Sequence, residues 1–248
     1  MKIMLPIYPK PYMPTMPSIV VGADVETQSL RDDAYIIAMG LVGFDIPTMK
    51  MVGSFYKTID PKDPKAMEIF HIDPSTLGWW EGKDNPDYAP TEQARIEAFS
   101  GTEKIDQVLW EAKKWLDTIS ANHEIVITMR GPEFDSPKIM NAFQQCDVPA
   151  GKFRKFSILD SDRTTERLAH AFGLVPNHTA EAHHWTRGKD AYEHNAGFDA
   201  AKEAYCTARM YHLALVAKTY GFERMLECHN EMCSGEYVAP QLRNQLQA

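Results

Sequence analysis

The sequence predicts an α/β fold in which helices flank one mixed, five-stranded sheet. Three strand-like runs follow one another in the first half of the chain, with short connections between them. Helical and strand-like patterns then alternate through the second half. A chain of 248 residues fits one large domain, or one domain with extensions. These observations favour a single domain built on a sheet with antiparallel and parallel parts.

The three early strands are expected over residues 18–27, 34–45 and 51–60. A connection as short as DIPTMK, between the second and third runs, favours an antiparallel meander. Proline- and aspartate-rich loops are expected around residues 73–87.

The second half begins with a helix in residues 101–119, whose apolar residues form one buried stripe. A strand over 124–131 follows it, and then a short helix over 136–146. Pro137 suits the first turn of that short helix, where its missing N–H is not needed.

Three more elements complete the predicted fold. A strand is expected near residues 155–160, and a helix over 164–172 that ends at Gly173. A long helix over 198–220 then ends at Gly221. Helices and strands that alternate in this way add parallel strands to the meander.

We divide the chain into three parts. Residues 1–17 form a proline-rich lead-in, residues 18–225 the α/β domain, and residues 226–248 a C-terminal extension. The lead-in lacks the continuous apolar core of a signal peptide, since proline interrupts it five times.

Charge and composition exclude some classes of protein. The formal charge of −8 argues against a broad basic surface that coats nucleic acid. No apolar run is long enough to span a membrane. The four cysteines show no CxxC spacing, so we expect a reduced, cytoplasmic protein. A zinc site from Cys228, Cys233 and His229 is disfavoured because no matching second pair exists.

Two carboxylates interrupt the end of the first strand, in IVVGADVET. Asp24 and Glu26 are two residues apart and therefore share one face of the strand. Their like charges repel unless a positive charge lies between them or the strand end is exposed. A divalent cation is the obvious candidate for that charge.

Two further acids and a histidine stand at the starts of helices. Asp135 follows the strand that ends near Arg130, and Asp199 starts the long helix with His194 five residues before it. Either aspartate taken alone could equally be an N-terminal helix cap. Taken together with Asp24 and Glu26, they form a coherent metal site.

The oxygen-rich ligand set suits Mg²⁺ or Mn²⁺ better than zinc. Two such ions, about 3.5–4 Å apart, can hold a phosphodiester, one activating water and the other stabilising the leaving oxygen. His194 can then take the proton from the attacking water, because histidine titrates near neutral pH.

DVET, FDSP and HNAGFD resemble the three signatures of the DEDD superfamily of 3′–5′ exonucleases, in its histidine-containing (DEDDh) branch. The resemblance extends over about residues 18–215. Within the superfamily the chain is most similar to phage-type exonucleases and the related bacterial exoribonuclease-like group. STLGWW, RGPEFDSP and DSDRTTERL carry that closer similarity.

The resemblance implies an RNase H-like fold, a site with two Mg²⁺ or Mn²⁺ ions and release of nucleoside monophosphates from single-stranded DNA or RNA 3′ ends. It assigns Asp24 to both metals, Glu26 and Asp199 to one, Asp135 to the other, and His194 as the general base. We expect substrate contacts from Thr27, Arg130, Phe134 and Arg163.

The segment 177–193 between the second and third signatures is long and rich in histidine. His178, His183, His184 and Glu181 could form a zinc site, but a solvated loop at the mouth of the site is favoured. Arg187, Lys189 and Arg130 could contact phosphate there. Trp79 and Trp80 could stack on bases, although burial in the core is the safer expectation for each.

Two other functions stay open at this point. The chain could bind nucleic acid without turnover, or it could hydrolyse short oligonucleotides or a small nucleotide. The preference for DNA or RNA cannot be assigned to any residue. The oligomeric state cannot be assigned from the sequence either, although relatives that pair as dimers make a homodimer one candidate assembly.

Overall fold

We describe a computed structural model of the chain over residues 16–83, 89–154, 159–174, 194–234 and 237. The predicted lead-in, apart from residues 16 and 17, lies outside the described residues. So does the histidine-rich segment 177–193, with its alternative zinc ligands and its two basic residues.

Five strands of the described residues form one mixed sheet in the order β3-β2-β1-β4-β5. Strand β1 pairs antiparallel with β2 and parallel with β4. The β2–β3 pair is antiparallel and the β4–β5 pair is parallel. The predicted meander and mixed five-stranded sheet are therefore confirmed. The strands are β1 (Ile19–Thr27), β2 (Ile36–Asp45), β3 (Lys50–Thr58), β4 (Ile125–Met129) and β5 (Leu159–Ser161).

Eight α-helices and one 3₁₀ turn (Gly151–Arg154) accompany these strands in the described residues. The helices are α1 (Pro64–Ile69), α2 (Pro74–Trp80), α3 (Glu92–Ala98), α4 (Ile105–Ser120), α5 (Pro132–Gln145), α6 (Asp162–Ala171), α7 (Ala196–Tyr220) and α8 (Phe222–Ser234).

The predicted loop around residues 73–87 was wrong where helix α2 forms. The side chain of Asp73 accepts the backbone N–H of Ser75, and Pro74 occupies the first helical position. An aspartate cap followed by proline starts a helix even when the helix is only two turns long.

The place predicted for Pro137 was also wrong. Helix α5 begins at Pro132, after Gly131, so Pro137 lies inside the helix rather than in its first turn. The helix contains two prolines, and the earlier one, Pro132, comes three residues after the last residue of β4 and starts the helix. Pro137 consequently leaves the carbonyl of Glu133 without its usual helical donor, because proline has no N–H.

The alternation of side chains along β1 separates two cores. Residues such as Val21 and Val25 face a core shared with α4 and α5. Val20, on the other face, belongs to a core shared with α7 and α8. Asp24 and Glu26 have the same parity as Val20, so they point toward the α7 side of the sheet.

Helix α7 lies directly on the sheet because two glycines make room for it. A Cβ on Gly22 would lie 1.9 Å from the carbonyl oxygen of Ala200, and one on Gly40 would lie 2.0 Å from that of Ala196. Backbone contact of this kind is possible only where the strand residue has no side chain. It brings the first turns of α7 against β1 and β2.

Helix α8 packs on the same core through Met225, Cys228 and Met232. The predicted boundary between residues 225 and 226 falls inside this helix. None of the described helices is long and apolar enough to cross a membrane.

Candidate active site

Three carboxylates meet where β1 ends and α7 begins. Oxygens of Asp24, Glu26 and Asp199 all lie within 4.8 Å of one another. Asp24 and Glu26 come from the α7 face of β1, and Asp199 lies in the first turn of α7. The shared strand face expected from the sequence is what brings the first two together.

The start of α7 is capped by a residue other than Asp199. The side chain of Asn195 accepts the backbone N–H of Phe198 at 2.9 Å. Asp199 instead accepts the backbone N–H of His194 at 3.0 Å. The interpretation of Asp199 as the helix cap is therefore wrong, and its carboxylate joins the histidine to the acidic group.

Asp135 reaches the site from the neighbouring parallel strand. The carboxyl ends of β1 and β4 lie side by side, and α5 follows β4 after Gly131. Gly131 is the N-cap of α5, so Asp135 in the first turn is not the cap. Asp135 is 5% exposed and lines the same cleft as the other three acids.

His194 stands beside the acids in an unusual backbone conformation. Its φ is 65°, in the left-handed region that non-glycine residues seldom occupy. Its ring lies perpendicular to the indole of Trp79, with ring centroids 4.9 Å apart. Backbone strain of this kind is common at functional sites, where the surrounding contacts maintain it.

A cleft of about 1000 Å³ contains all nine residues predicted to act in catalysis or substrate binding. The side chains that line it include Asp24, Glu26, Thr27, Arg130, Phe134, Asp135, Arg163, His194 and Asp199. The structure thus brings the predicted residues together, while their individual roles stay predictions.

The four residues that we expect to contact the substrate all line this cleft. Thr27 donates its hydroxyl to the carbonyl of Ser29 at 2.8 Å. Phe134 is 41% exposed, and its carbonyl accepts a hydrogen bond of 2.8 Å from the ammonium of Lys138. Arg130 and Arg163 are exposed at the cleft, so their guanidinium groups are accessible to a ligand.

The two tryptophans have different environments. Trp80 is 2% exposed and donates its indole N–H to the carbonyl of Thr27 at 3.0 Å. Trp79 is half-buried and lines the cleft beside His194. Burial in the core, the safer expectation for each, therefore holds for Trp80 only.

The electrostatics of the cleft disfavour ionised acids when no cation is present. Burial, followed by the nearby Glu26 carboxylate, raises the pKa of Asp24 well above its ordinary value. Burial and the neighbouring Asp199 and Asp135 raise the pKa of Glu26 to about 8. Burial raises the pKa of Asp135 to about 7, against the opposing effect of the Lys138 ammonium.

These residues fit a divalent metal. Their ligand atoms are carboxylate oxygens, which Mg²⁺ and Mn²⁺ prefer. Burial and the neighbouring carboxylates raise the pKa values of Asp24 and Glu26, and a bound cation would stabilise their ionised forms. Among the described residues, this acidic group is the one set of three or more candidate ligands close enough to share an ion. His229, from the disfavoured zinc site, contacts the guanidinium of buried Arg209 and lies 3.9 Å from the Cys233 sulfur.

The sequence interpretation missed further residues of the cleft. Glu203 is 2% exposed, and Lys202 lies beside it on the cleft wall. Glu203 comes four residues after Asp199, so both lie on one face of α7, and that spacing could have identified it. Asp162 is buried behind the cleft, where burial and then Glu166 raise its pKa to about 7.

Residues 20–211 match the family described as the 3′-5′ exoribonuclease Rv2179c-like domain. The match covers more than half of the chain and includes the five residues of the three signatures. A search of curated protein sequences gave no match.

Several solved structures share the fold at low sequence identity. The nuclease domain of 3′hExo, a DEDDh family member bound to rAMP, is 13% identical, with a TM-score of 0.50 over 78% of this chain and 92% of that one. A 3′-exonuclease in 3′-end-specific recognition of histone mRNA stem-loop is 13% identical, with a TM-score of 0.51. Cell-death related nuclease 4 (CRN-4) is 15% identical, with a TM-score of 0.50.

The alignments cover 80% and 78% of this chain for the last two structures, but only 65% and 63% of theirs. The chain thus spans less than two thirds of either structure. The shared architecture confirms the RNase H-like, DEDDh-type fold, whereas the closer likeness to phage-type exonucleases stays a prediction. The chain belongs to the Rv2179c-like family of 3′–5′ exoribonuclease domains and is an enzyme of the 3′–5′ exonuclease class.

Proposed function

We propose that the protein hydrolyses phosphodiester bonds at single-stranded 3′ ends, with two divalent ions, Mg²⁺ or Mn²⁺, and releases nucleoside 5′-monophosphates. The observation that carries the proposal is the meeting of Asp24, Glu26 and Asp199 oxygens within 4.8 Å, beside His194 in an open cleft. Asp24, Glu26 and Asp199 would hold one ion, and Asp24 with Asp135 would face the other.

When bound, the ions would activate water and stabilise charge on the scissile phosphate. The protein side chains then have separate tasks. His194 would accept a proton from the attacking water. The Asp199 carboxylate would orient this residue through its backbone N–H, and Trp79 would hold its ring beside the cleft.

The rim of the cleft offers groups for the polynucleotide. Arg130, Arg163 and Lys202 would contact phosphates, and Trp79 or Phe134 would pack against a base. These groups would contact phosphates and the flat faces of bases, which are common to all nucleotides. We therefore expect only a weak preference for the sequence of the polynucleotide.

RNA is the polymer that we propose as the preferred substrate. The description of the family names exoribonucleases, which supports this choice. Discrimination against DNA would require a contact with the terminal 2′-hydroxyl, and the rim beside Thr27 is where the last nucleotide would lie.

A labelled-oligonucleotide assay tests the proposal. One sequence is prepared as RNA and as DNA with a 5′ label, and each is incubated with Mg²⁺ or Mn²⁺, with EDTA, and with the Asp24→Asn variant. We expect a ladder that shortens from the 3′ end, faster on RNA, and absent with EDTA and with Asp24→Asn.

Two other outcomes have definite meanings. Binding of the oligonucleotide without product, with metal bound, would replace the enzyme proposal with a binding module. Cleavage confined to oligomers of a few nucleotides would identify a hydrolase of short oligonucleotides, so the assay includes lengths from two to about twenty nucleotides. No specific contact in the described residues favours either alternative.

A further inference from the structure

His194 needs support from outside its own helix. It precedes the N-cap of α7 and holds a φ of 65°, a left-handed conformation that is strained for a non-glycine residue. The hydrogen bond from its N–H to Asp199 fixes one side of its peptide unit. The residue that follows His194 is Asn195, whose side chain makes two hydrogen bonds to other parts of the fold.

Asn195 uses both ends of its amide. Its oxygen caps α7 by accepting the N–H of Phe198 at 2.9 Å. Its nitrogen donates to the Glu97 carboxylate, on helix α3, at 3.2 Å. The first bond belongs to the helix, whereas the second ties the start of that helix to a separate element of the fold.

Helix α3 gives a firm attachment at that point. Ala98, which follows Glu97, and Phe99 pack with Ile37, Trp79 and Trp80 in a small apolar cluster. Glu97 is half-buried and lies beside the hydroxyl of Tyr56 on β3, where burial and then the Glu97 charge raise the pKa of that tyrosine above its ordinary value. The ring of Tyr56 in turn lies against Gly197, where an added Cβ would be only 3.1 Å from it.

We propose that the Glu97–Asn195 hydrogen bond is a positioning contact that holds His194 over the metal-facing carboxylates. The inference rests on the proposed function, because it assumes that His194 acts in the reaction. Glu97 lies outside the residues that line the cleft, so it would act on the histidine indirectly, through its bond to Asn195 and through Tyr56, which contacts both residues.

The chemistry of the pair allows the bond to be broken and rebuilt. In Asn195→Asp the cap acceptor is kept, since aspartate is as good an N-cap as asparagine, but a second carboxylate now faces Glu97. In Glu97→Gln the acceptor oxygen for Asn195 is kept. The double variant Asn195→Asp/Glu97→Gln restores a hydrogen bond of opposite direction, in which the new amide on α3 donates to the new carboxylate at the start of α7.

The experiment measures kcat, KM and Mn²⁺ affinity for the wild type, both single variants and the double variant. We expect Asn195→Asp to lower kcat by about tenfold, because a small misplacement of a catalytic group slows the chemical step. KM and Mn²⁺ affinity should stay within about twofold, as the ligands and the cleft wall are unchanged. Glu97→Gln should keep most of kcat and the double variant should recover it, and Glu92→Gln, on the exposed side of α3, is the matched control.

Two results would overturn the inference. One is a kcat for Asn195→Asp within about twofold of wild type. The other is a double variant as slow as Asn195→Asp, which would show that the aspartate acts locally and not through Glu97. The Asp24→Asn variant, assayed in parallel, distinguishes failure of the proposed function from failure of this inference. If Asp24→Asn retains activity, the proposed function fails. If it is inactive, either of the two results above overturns only the role of the Glu97–Asn195 contact.

Discussion

The imidazole of His194 and the indole of Trp79 meet at right angles, with their ring centroids 4.9 Å apart. An edge-to-face pair of this kind contributes about 0.5–1.5 kcal/mol beyond the area that it buries. The contact joins the proposed general base to helix α2, which reaches the end of β1 through the hydrogen bond from Trp80 to Thr27. Of these two neighbouring residues, Trp79 contacts His194 at the cleft, whereas Trp80 is buried and bonded to β1.

Replacement of Trp79 should slow the reaction, and it should also lower stability because one part of the indole packs against the apolar cluster at α3. We expect Trp79→Ala to lower kcat up to about tenfold, which corresponds to the loss of roughly 1 kcal/mol of orientation. Steady-state kinetics and thermal unfolding measure both effects. Trp80→Phe is the contrasting variant: it leaves the buried Thr27 carbonyl without its donor, which should cost about 1–3 kcal/mol in unfolding free energy. Equal effects of the two variants on kcat would contradict the assignment of Trp79 to the support of His194.

Without metal, the protein should lose stability as pH rises from about 5 to about 8. Burial and neighbouring charges raise the folded-state pKa of Glu26 to about 8 and of Asp135 to about 7. In this window the folded chain holds more protons than the unfolded one, so the free energy of unfolding falls with increasing pH. Stabilisation by Mn²⁺ should grow over the same range, because the cation favours the ionised acids.

Thermal unfolding at several pH values, with EDTA and with excess Mn²⁺, measures both trends. A melting temperature in EDTA that rises between pH 5 and pH 8 would contradict the electrostatic account of the cleft. Asp147→Asn, a change of an exposed residue outside the cleft lining, should follow the wild-type curve, because asparagine also tolerates its φ of 56°.

The close approach of α7 to the sheet predicts a severe effect of Gly22→Ala. The added Cβ would lie 1.9 Å from the Ala200 carbonyl, so the helix must move and carry Asp199 away from Asp24. We expect a loss of about 1–3 kcal/mol in unfolding free energy and weaker Mn²⁺ binding. Gly53→Ala on β3 is the control, because its Cβ would meet side-chain atoms at an ordinary 3.6 Å. Calorimetry that found both variants alike would refute the packing argument.

Arg163 should affect substrate binding more than chemistry. Its side chain is exposed and lines the cleft, so Arg163→Ala should leave the melting temperature unchanged. We expect KM for RNA to rise several-fold and the slope of log affinity against log salt concentration to fall by about 1. Arg167→Ala, four residues further along α6 and outside the cleft lining, is the matched control. A comparable rise of KM in both variants would show only a general charge effect.

Local sequence patterns were enough to predict the strand that carries two of the acids and the ends of two helices. Asp24 and Glu26 could be placed on one strand face from their spacing alone, and the glycines after α6 and α7 ended both helices. The short helices α1, α2 and α3 were missed as helices. Each is less than two full turns and depends on a single cap, such as Asp63 or Thr91, so no apolar periodicity marks it.

The surroundings of His194 could not be predicted from the sequence. Glu97 and Asn195 are far apart in the chain, and their bond depends on where α3 packs. The fully buried position of Asp162 likewise arises from packing, since the sequence around it is polar. A sequence pattern predicts features within one helix or strand, whereas a contact between distant elements can be identified only once the fold is known.

The polarity and product of cleavage test the central claim most directly. An RNA oligonucleotide labelled on its 3′-terminal nucleotide is mixed with the protein and Mg²⁺, and the first labelled product is identified. The account predicts a labelled nucleoside 5′-monophosphate as that product, formed by the wild type and not by Asp24→Asn. A labelled oligonucleotide as first product, or an unchanged yield with Asp24→Asn, would contradict it.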